Sequence, residues 1–381
     1  MKIFALLKSK IKSRLDKYGH LGLYSIGIFL LNIFQYRKIK ALYQQYLLII
    51  RKKSKNIKKI LFFPSGFYQT LPSGRFRCYN VAKYLKTKGY FTIVISPKFR
   101  KCYRKKILSL LNPDWVWIQK VYHPYNRYKF FKKYKIIFDI DDPDYTNPYL
   151  LKPINEFFKN SQIVTCGSEL IKNYAEKFSN NVHKIWTPIP VVKDKEFKLQ
   201  AKSQLIIGWT PSNADTYYES IKLLYKPLLN LNQKYNIIFR IDGGSTNRVK
   251  KLFSNLNWVQ ITYSKPYKNF LKKLKEIDIG IHPMAKTLRN LAKSFGKTLN
   301  YMNAGIPCVV TNIGENSIFF KDGINGFLAN TPEEWEIKLG KLIENQSLRE
   351  KFANQAFKDM TKYLSLENIC SQYIELLFNR D

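Results

Sequence analysis

The sequence predicts an α/β protein with two Rossmann-like domains facing a central cleft and a basic helical extension in front of them. Three observations lead there. Two segments begin alike, ILFFPSG at Ile60 and LIIGWTPS at Leu205, each a short apolar strand running into a loop with Pro and a small polar residue. The stretch from Ile277 to Trp335 reads as strand, loop, helix, strand, loop, helix. With 381 residues, 45% of them hydrophobic, the chain can bury two cores of ordinary size. The expected divisions are 1–58, a helical extension; 59–198 and 199–362, the two domains; and 363–381, a terminal helix returning to the first domain.

The extension concentrates charge. Fifteen Lys and Arg residues within the first 59 face a single acid, Asp16. Phe4, Leu7, Ile11 and Leu15 recur at helical spacing, and the run Leu21 to Phe34 is strongly apolar. This pattern reads as an interfacial anchor on an anionic membrane surface. The apolar run is shorter than the roughly 20 residues that span a bilayer and lacks a small-residue cleavage site, so neither a transmembrane helix nor a signal peptide is expected. The alternative is that 21–50 pack on the main body as a helical hairpin. Five scattered cysteines without metal or disulfide spacing fit a reducing compartment. The expected location is cytoplasmic, peripheral on the inner face of the plasma membrane.

The formal charge of +38 raises nucleic acid as a partner. Joint enrichment in Lys, Asn, Ile, Phe and Tyr has a duller source in A/T-rich codons, and no helix-turn-helix, zinc-finger or RNP-like pattern stands out. No nucleic acid is therefore expected.

In the first domain, LPSGRFRCYNVAKYLKTKGYFTIVIS reads as loop, helix and strand, with Arg75 and Arg77 before the helix and Gly89 ending it. Trp115 to Gln119 makes the next strand, followed by His123, whose imidazole could serve as acid or base near neutral pH or be structural. Ile136 to Ile140 ends in FDIDD. Asp139 and Asp141 form a D-x-D pair that suits a hard divalent cation, while Asp142 and Asp144 suit the capping of the turn at Pro143. No metal requirement and no GxGxxG dinucleotide cofactor are expected.

In the second domain, GWTPSNAD offers Thr210, Ser212 and Asn213 beside a helix start, and Gly243 and Gly244 either let FRIDGGS approach a ligand or make a plain turn. Lys286, Arg289 and Lys293 gather after the strand Ile277 to Ile281, and Gly296 leads into TLNYMNA, whose first amides and macrodipole suit a diphosphate. Gly305 and Pro307 end that helix, and Thr311 to Asn316 forms the next loop. Each lysine could equally be solvated surface.

The ordered set K-S-F-G-K-T-L-N-Y-M, A-G-I-P-C-V-V-T, G-E-N, D-G-I-N-G-F-L and T-P-E-E-W resembles the GT-B glycosyltransferases of the group 1 type, the class designated family 4. The resemblance implies a nucleotide-sugar-dependent transferase, retaining in stereochemistry, that serves cell-surface polysaccharide synthesis with a glycan or lipid-linked acceptor. It makes Lys293 and Lys297 phosphate cations, and it makes Thr311, Gly314, Glu315 and Asn316 a sugar-side loop. Arg75 and Arg77 resemble a family Ser-x-Arg-x-Arg start near donor or acceptor. Asp141 and Asp142 resemble a His-Asp strand end that contacts sugar hydroxyls or takes the acceptor proton. The family's two Glu residues, eight apart, are replaced by Ala292 and Asn300, and Asn300 retains an amide for a ribose hydroxyl. Such a reaction needs a nucleoside-diphosphate sugar as co-substrate and no cofactor. The rivals are a metal-dependent transferase using Asp139 and Asp141, a basic nucleic-acid-binding protein, and a non-catalytic GT-B scaffold.

Overall fold

The computed structural model describes residues 27–45, 47–48, 57–191, 195–244, 246–263, 267–294 and 296–378. The expected amphipathic turn through Phe4 to Leu15, the start of the apolar run at Leu21 and the basic run 51–55 lie outside the described residues.

Among the described residues, twelve strands, all parallel where paired, form two six-stranded sheets. The first comprises β1 (Lys59–Pro64), β2 (Phe91–Val94), β3 (Trp115–Gln119), β4 (Ile136–Ile140), β5 (Ile163–Cys166) and β6 (Val182–Lys184), in the order β2-β1-β3-β4-β5-β6. The second comprises β7 (Leu205–Trp209), β8 (Ile237–Asp242), β9 (Val259–Thr262), β10 (Ile279–His282), β11 (Cys308–Thr311) and β12 (Phe327–Ala329), in the order β12-β11-β10-β7-β8-β9. β3 and β4 are buried along their whole length, which is why they read as continuous apolar runs rather than alternating ones. The chain is an α/β protein of two Rossmann-like domains. Strand order reverses between β1 and β3 in one sheet and between β7 and β10 in the other, and ligands of such sheets bind outside the carboxyl ends at those points.

The final helix, Leu366–Phe378, leaves the second domain and buries Ile369, Cys370, Tyr373 and Leu377 against Ile60, Phe62 and Trp117 of the first. The Tyr373 ring lies 4.5 Å from that of Trp117. Residues 27–45 form a helix docked on the first domain: Ile39 enters its core, Tyr36 meets Tyr103 at 5.9 Å, and Asn32 accepts from Arg100 N at 2.8 Å and donates to Lys98 O at 3.1 Å. Packing on the body, the alternative weighed above, is what the described part of the extension does.

Candidate active site

The second domain supplies a cationic pocket at its switch point. Leaving β7, the chain passes Thr210 and a 3₁₀ turn at Asp215–Tyr217, in which Asn213 Oδ1 caps Thr216 N at 3.0 Å. Leaving β10, it passes His282 and the short helix Leu288–Leu291 to Lys293 and Lys297, the residue that precedes helix Thr298–Ala304. Both ammonium groups converge on Tyr217, with Lys297 Nζ 3.7 Å and Lys293 Nζ 4.2 Å from its ring centroid, and Lys293 also donates to the Tyr217 hydroxyl. Lys297 Nζ is shut off from solvent and has no hydrogen-bond partner. Burial, with Lys293 adding repulsion, pushes it down to about 8. His282, also buried, leaves Nδ1 unpartnered, and burial followed by the charges of Lys297 and Lys293 holds its ring neutral. Lys297 above all, with Lys293, holds the Tyr217 phenol below its usual value against the effect of burial. Asn316 adds a third orphan, a buried Oδ1, while its Nδ2 donates to Thr311 O at 3.3 Å. Gly314 brings that loop into place: its φ is +54°, and a Cβ there would lie 2.4 Å from Leu291 O, two residues before Lys293.

The first domain supplies a carboxylate cluster. Lys120, directly after β3, adopts a left-handed φ of 58° that turns its buried side chain into the cluster. Its Nζ lies 2.9 Å from Asp141 Oδ1 and 3.5 Å from Asp144 Oδ2, and it donates to Asp142 Oδ2. Burial alone would lower the Lys120 value, but Asp141, Asp142 and Asp144 together raise it. Asp141 is pushed up to about 6 by burial and by Asp142. Asp142, with a side chain 34% exposed, is the open member. Lys120, together with Lys293 and Arg289 from the second domain, holds it low against burial. The cluster and the cationic pocket therefore face one another across the cleft.

Several expected site residues turn out to be structural. Arg77 is fully buried, forks onto Asp139 with a shortest contact of 2.6 Å, and also donates to Ile185 O, Thr187 Oγ1 and Tyr373 OH, so it locks the returning helix to the first sheet and reaches no acceptor. Asp139 is consumed by the same fork and by Thr165 at 2.7 Å, which removes the D-x-D pair as a two-carboxylate metal clasp. Among the described residues no group of three metal-ligating side chains occurs. His123 accepts from Tyr125 N through Nδ1 and meets Pro97 O at 2.9 Å through Nε2; burial and then Arg104 push it down to about 4, so it is a neutral loop brace rather than a catalytic group.

Glu315 is buried, and its carboxylate accepts from Glu169 N at 2.8 Å and Trp186 Nε1 at 2.5 Å, both on the first domain, so it latches the lobes instead of holding donor. Thr311 accepts from Met284 N, bracing two site loops. Gly243 admits Pro211, whose carbonyl would sit 2.4 Å from an added Cβ, which makes it a loop-packing glycine. Ser212 is exposed beside it, and Gly296 has open space where its Cβ would be. Arg75 stacks 3.5 Å over Tyr267 of the second domain, and the Tyr267 hydroxyl donates to Asn300 Oδ1 at 3.0 Å, so both residues belong to a chain of contacts across the cleft.

Sequence reasoning missed Tyr217, His282 and Lys120. His282 carried a signal, a polar residue closing an otherwise apolar strand at the switch point. For Tyr217 and Lys120 the decisive features are a ring placed under two ammonium groups and a left-handed backbone, neither of which has a sequence signature.

Residues 212–359 match the family model described as Glycosyl transferases group 1. Curated protein sequences yield no match. Among solved structures, the chain is similar to Anabaena HepE in complex with UDP and glucose, with a TM-score of 0.63 and 13% identity over 84% of this chain and 100% of that one. It is similar to a glycosyltransferase from Rickettsia africae at a TM-score of 0.60 and 20% identity, over 85% and 100% of the two chains. Sucrose-phosphate synthase from Thermosynechococcus elongatus gives 0.64 at 9% identity, over 84% and 98%. At these identities the likeness is one of fold.

Proposed function

We propose that this chain, a GT-B glycosyltransferase with a group 1 domain, moves a sugar from a nucleoside-diphosphate sugar to a hydroxyl of a glycan or lipid-linked acceptor in cell-surface polysaccharide synthesis. The observation that carries this is the unpartnered Lys297 ammonium. A desolvated ammonium without a hydrogen-bond partner is costly, and a diphosphate at Lys297 and Lys293 supplies what it lacks. Negative charge grows on the departing diphosphate during transfer, so cations already fixed and dry around it stabilise the transition state more than the ground state. Asp142, the carboxylate open to the cleft, contacts the donor sugar or takes the acceptor proton, with Asp141 behind it. Lobe contacts such as Glu315 with Trp186 restrict water around the transferring sugar. Retention of anomeric configuration accompanies the group 1 resemblance.

The likeness to a UDP-bound fold makes UDP the first member of a thermal-shift panel with GDP, ADP and CMP compounds. A ligand at 100 times its Kd adds about 2.7 kcal/mol of stability. One diphosphate should stabilise the wild type and fail to stabilise Lys293→Ala or Lys297→Ala. Equal donor affinity and turnover in both variants overturns this assignment.

A further inference from the structure

The docked helix 27–45 turns an unusual face outward. Its inner side holds Asn32, Tyr36, Ile39 and Tyr43 against the first domain. On the opposite side, at helical spacing, lie Leu30 at 41% exposure, Phe34 at 68%, then Arg37 and Lys38. A helix that merely covers a domain presents polar side chains there; this one presents large apolar groups followed by cations. Beside it, joined by the Tyr36–Tyr103 contact, helix Lys101–Leu111 exposes Lys101, Lys105 and Lys106. Neither helix contains an acidic residue, and after Asp16 the next carboxylate in the chain is Asp114. Among the described residues no carboxylate pairs with Arg37, Lys38, Lys101, Lys105 or Lys106. The surface continues toward the cleft: Asn32 holds the 98–100 loop beyond β2, and Lys98 Nζ lies 5.7 Å from the ring of half-exposed Phe67, in the loop that also binds Arg75.

We propose that the outer faces of these two helices seat the protein on an anionic lipid bilayer, with Phe34 and Leu30 entering the headgroup boundary, the lysines on lipid phosphates, and the first-domain side of the cleft at the membrane edge. Spread cations beside exposed apolar side chains match a diffuse charged interface with an apolar layer beneath it. An acidic peptide would need a groove, and a nucleic acid, which could stack on Phe34 but gains little from Leu30, is distinguished by the oligonucleotide arm of the test below. This inference stands apart from the transferase reading, since it uses none of the pocket residues.

Cys102, exposed on the second of these helices while Cys78, Cys166, Cys308 and Cys370 are buried, gives a site-specific reporter. The full chain, labelled there with an environment-sensitive dye, should show a blue-shifted emission and co-sediment with phosphatidylglycerol-containing vesicles. It should do neither with phosphatidylcholine alone, and added salt should reverse both effects. Each cation near such a surface is worth about fivefold in partitioning, so Lys38→Gln with Lys106→Gln should weaken binding roughly thirtyfold, and Phe34→Ser should weaken it separately. Melting temperature and nucleotide-induced stabilisation of these surface variants should match the wild type, which separates this test from that of the donor pocket. Unchanged partitioning of the variants, sedimentation without a dye response, or a dye response to an oligonucleotide and not to vesicles each overturns the proposal.

Discussion

Lys297→Met is expected to stabilise the ligand-free protein while abolishing its stabilisation by nucleoside diphosphate. The lysine nitrogen is buried without a partner and falls from an ordinary 10.5 to about 8, chiefly through burial. At about 1.4 kcal/mol per tenfold change in proton affinity, the ammonium costs the empty fold up to about 3 kcal/mol at neutral pH. Methionine keeps most of the stem that packs on Tyr217 and carries no charge to desolvate. The variant should therefore melt a few degrees higher than the wild type. The sign of the pH dependence follows from the same cause. The unfolded chain holds this proton to a higher pH than the folded one, so wild-type stability rises as pH climbs from about 8 toward 10.5. The variant lacks that contribution, and the difference between the two proteins should shrink over the same interval. Differential scanning calorimetry with and without UDP tests both halves. A variant that melts lower than the wild type, or that keeps its nucleotide-induced shift, refutes the reasoning.

Arg77→Ala should cost about 3–5 kcal/mol in a urea titration, because it leaves Asp139 buried and unpaired, whereas Arg75→Ala should cost about 1 kcal/mol through its lost stacking on Tyr267. Gly314→Ala meets both a left-handed backbone and the Leu291 carbonyl, so destabilisation of about 1–3 kcal/mol with weakened nucleotide binding is expected by calorimetry. Asp142→Asn should lower kcat while UDP binding is kept or tightened, since Lys293 loses a competing carboxylate, and a kcat equal to wild type would remove Asp142 from the chemistry. Turnover should persist in chelator, measured by release of nucleoside diphosphate, because the fixed cations meet the charge of the leaving group.

The fold was legible because its signals are local and repeated. Apolar runs such as IIF and CVV mark strands buried on both faces, and Gly305 with Pro307 marks a helix stop. The gathering of Lys293 and Lys297 beyond one strand end was legible in part for the same reason, while their role toward phosphate rests on the proposal above. What could not be read was the spending of polar groups across long sequence separations. Arg77 and Asp139 look available in sequence because their partnership spans 62 residues, and Glu315 looks like part of a ligand loop because Glu169 and Trp186 lie over 120 residues away. Charge alone does not say whether a group faces a ligand or closes a fold. The discriminating quantity is whether its hydrogen bonds are already used, and only the assembled structure reports it.

That criterion also ranks the carboxylates. Asp139 has its oxygens occupied, Asp144 binds Tyr122 at 2.6 Å, and Asp141 is drawn inward by Lys120. Asp142 alone in the cluster is shared between lobes, held by Lys120 on its own side and by Lys293 and Arg289 on the other. A diphosphate drawing on Lys293 competes for that cation. As its charge is neutralised, Asp142 loses part of what keeps its carboxyl low and becomes a better proton acceptor when a donor is in place. The same lysine thus ties leaving-group binding to the basicity of the opposite lobe, which favours donor binding before the acceptor hydroxyl is engaged.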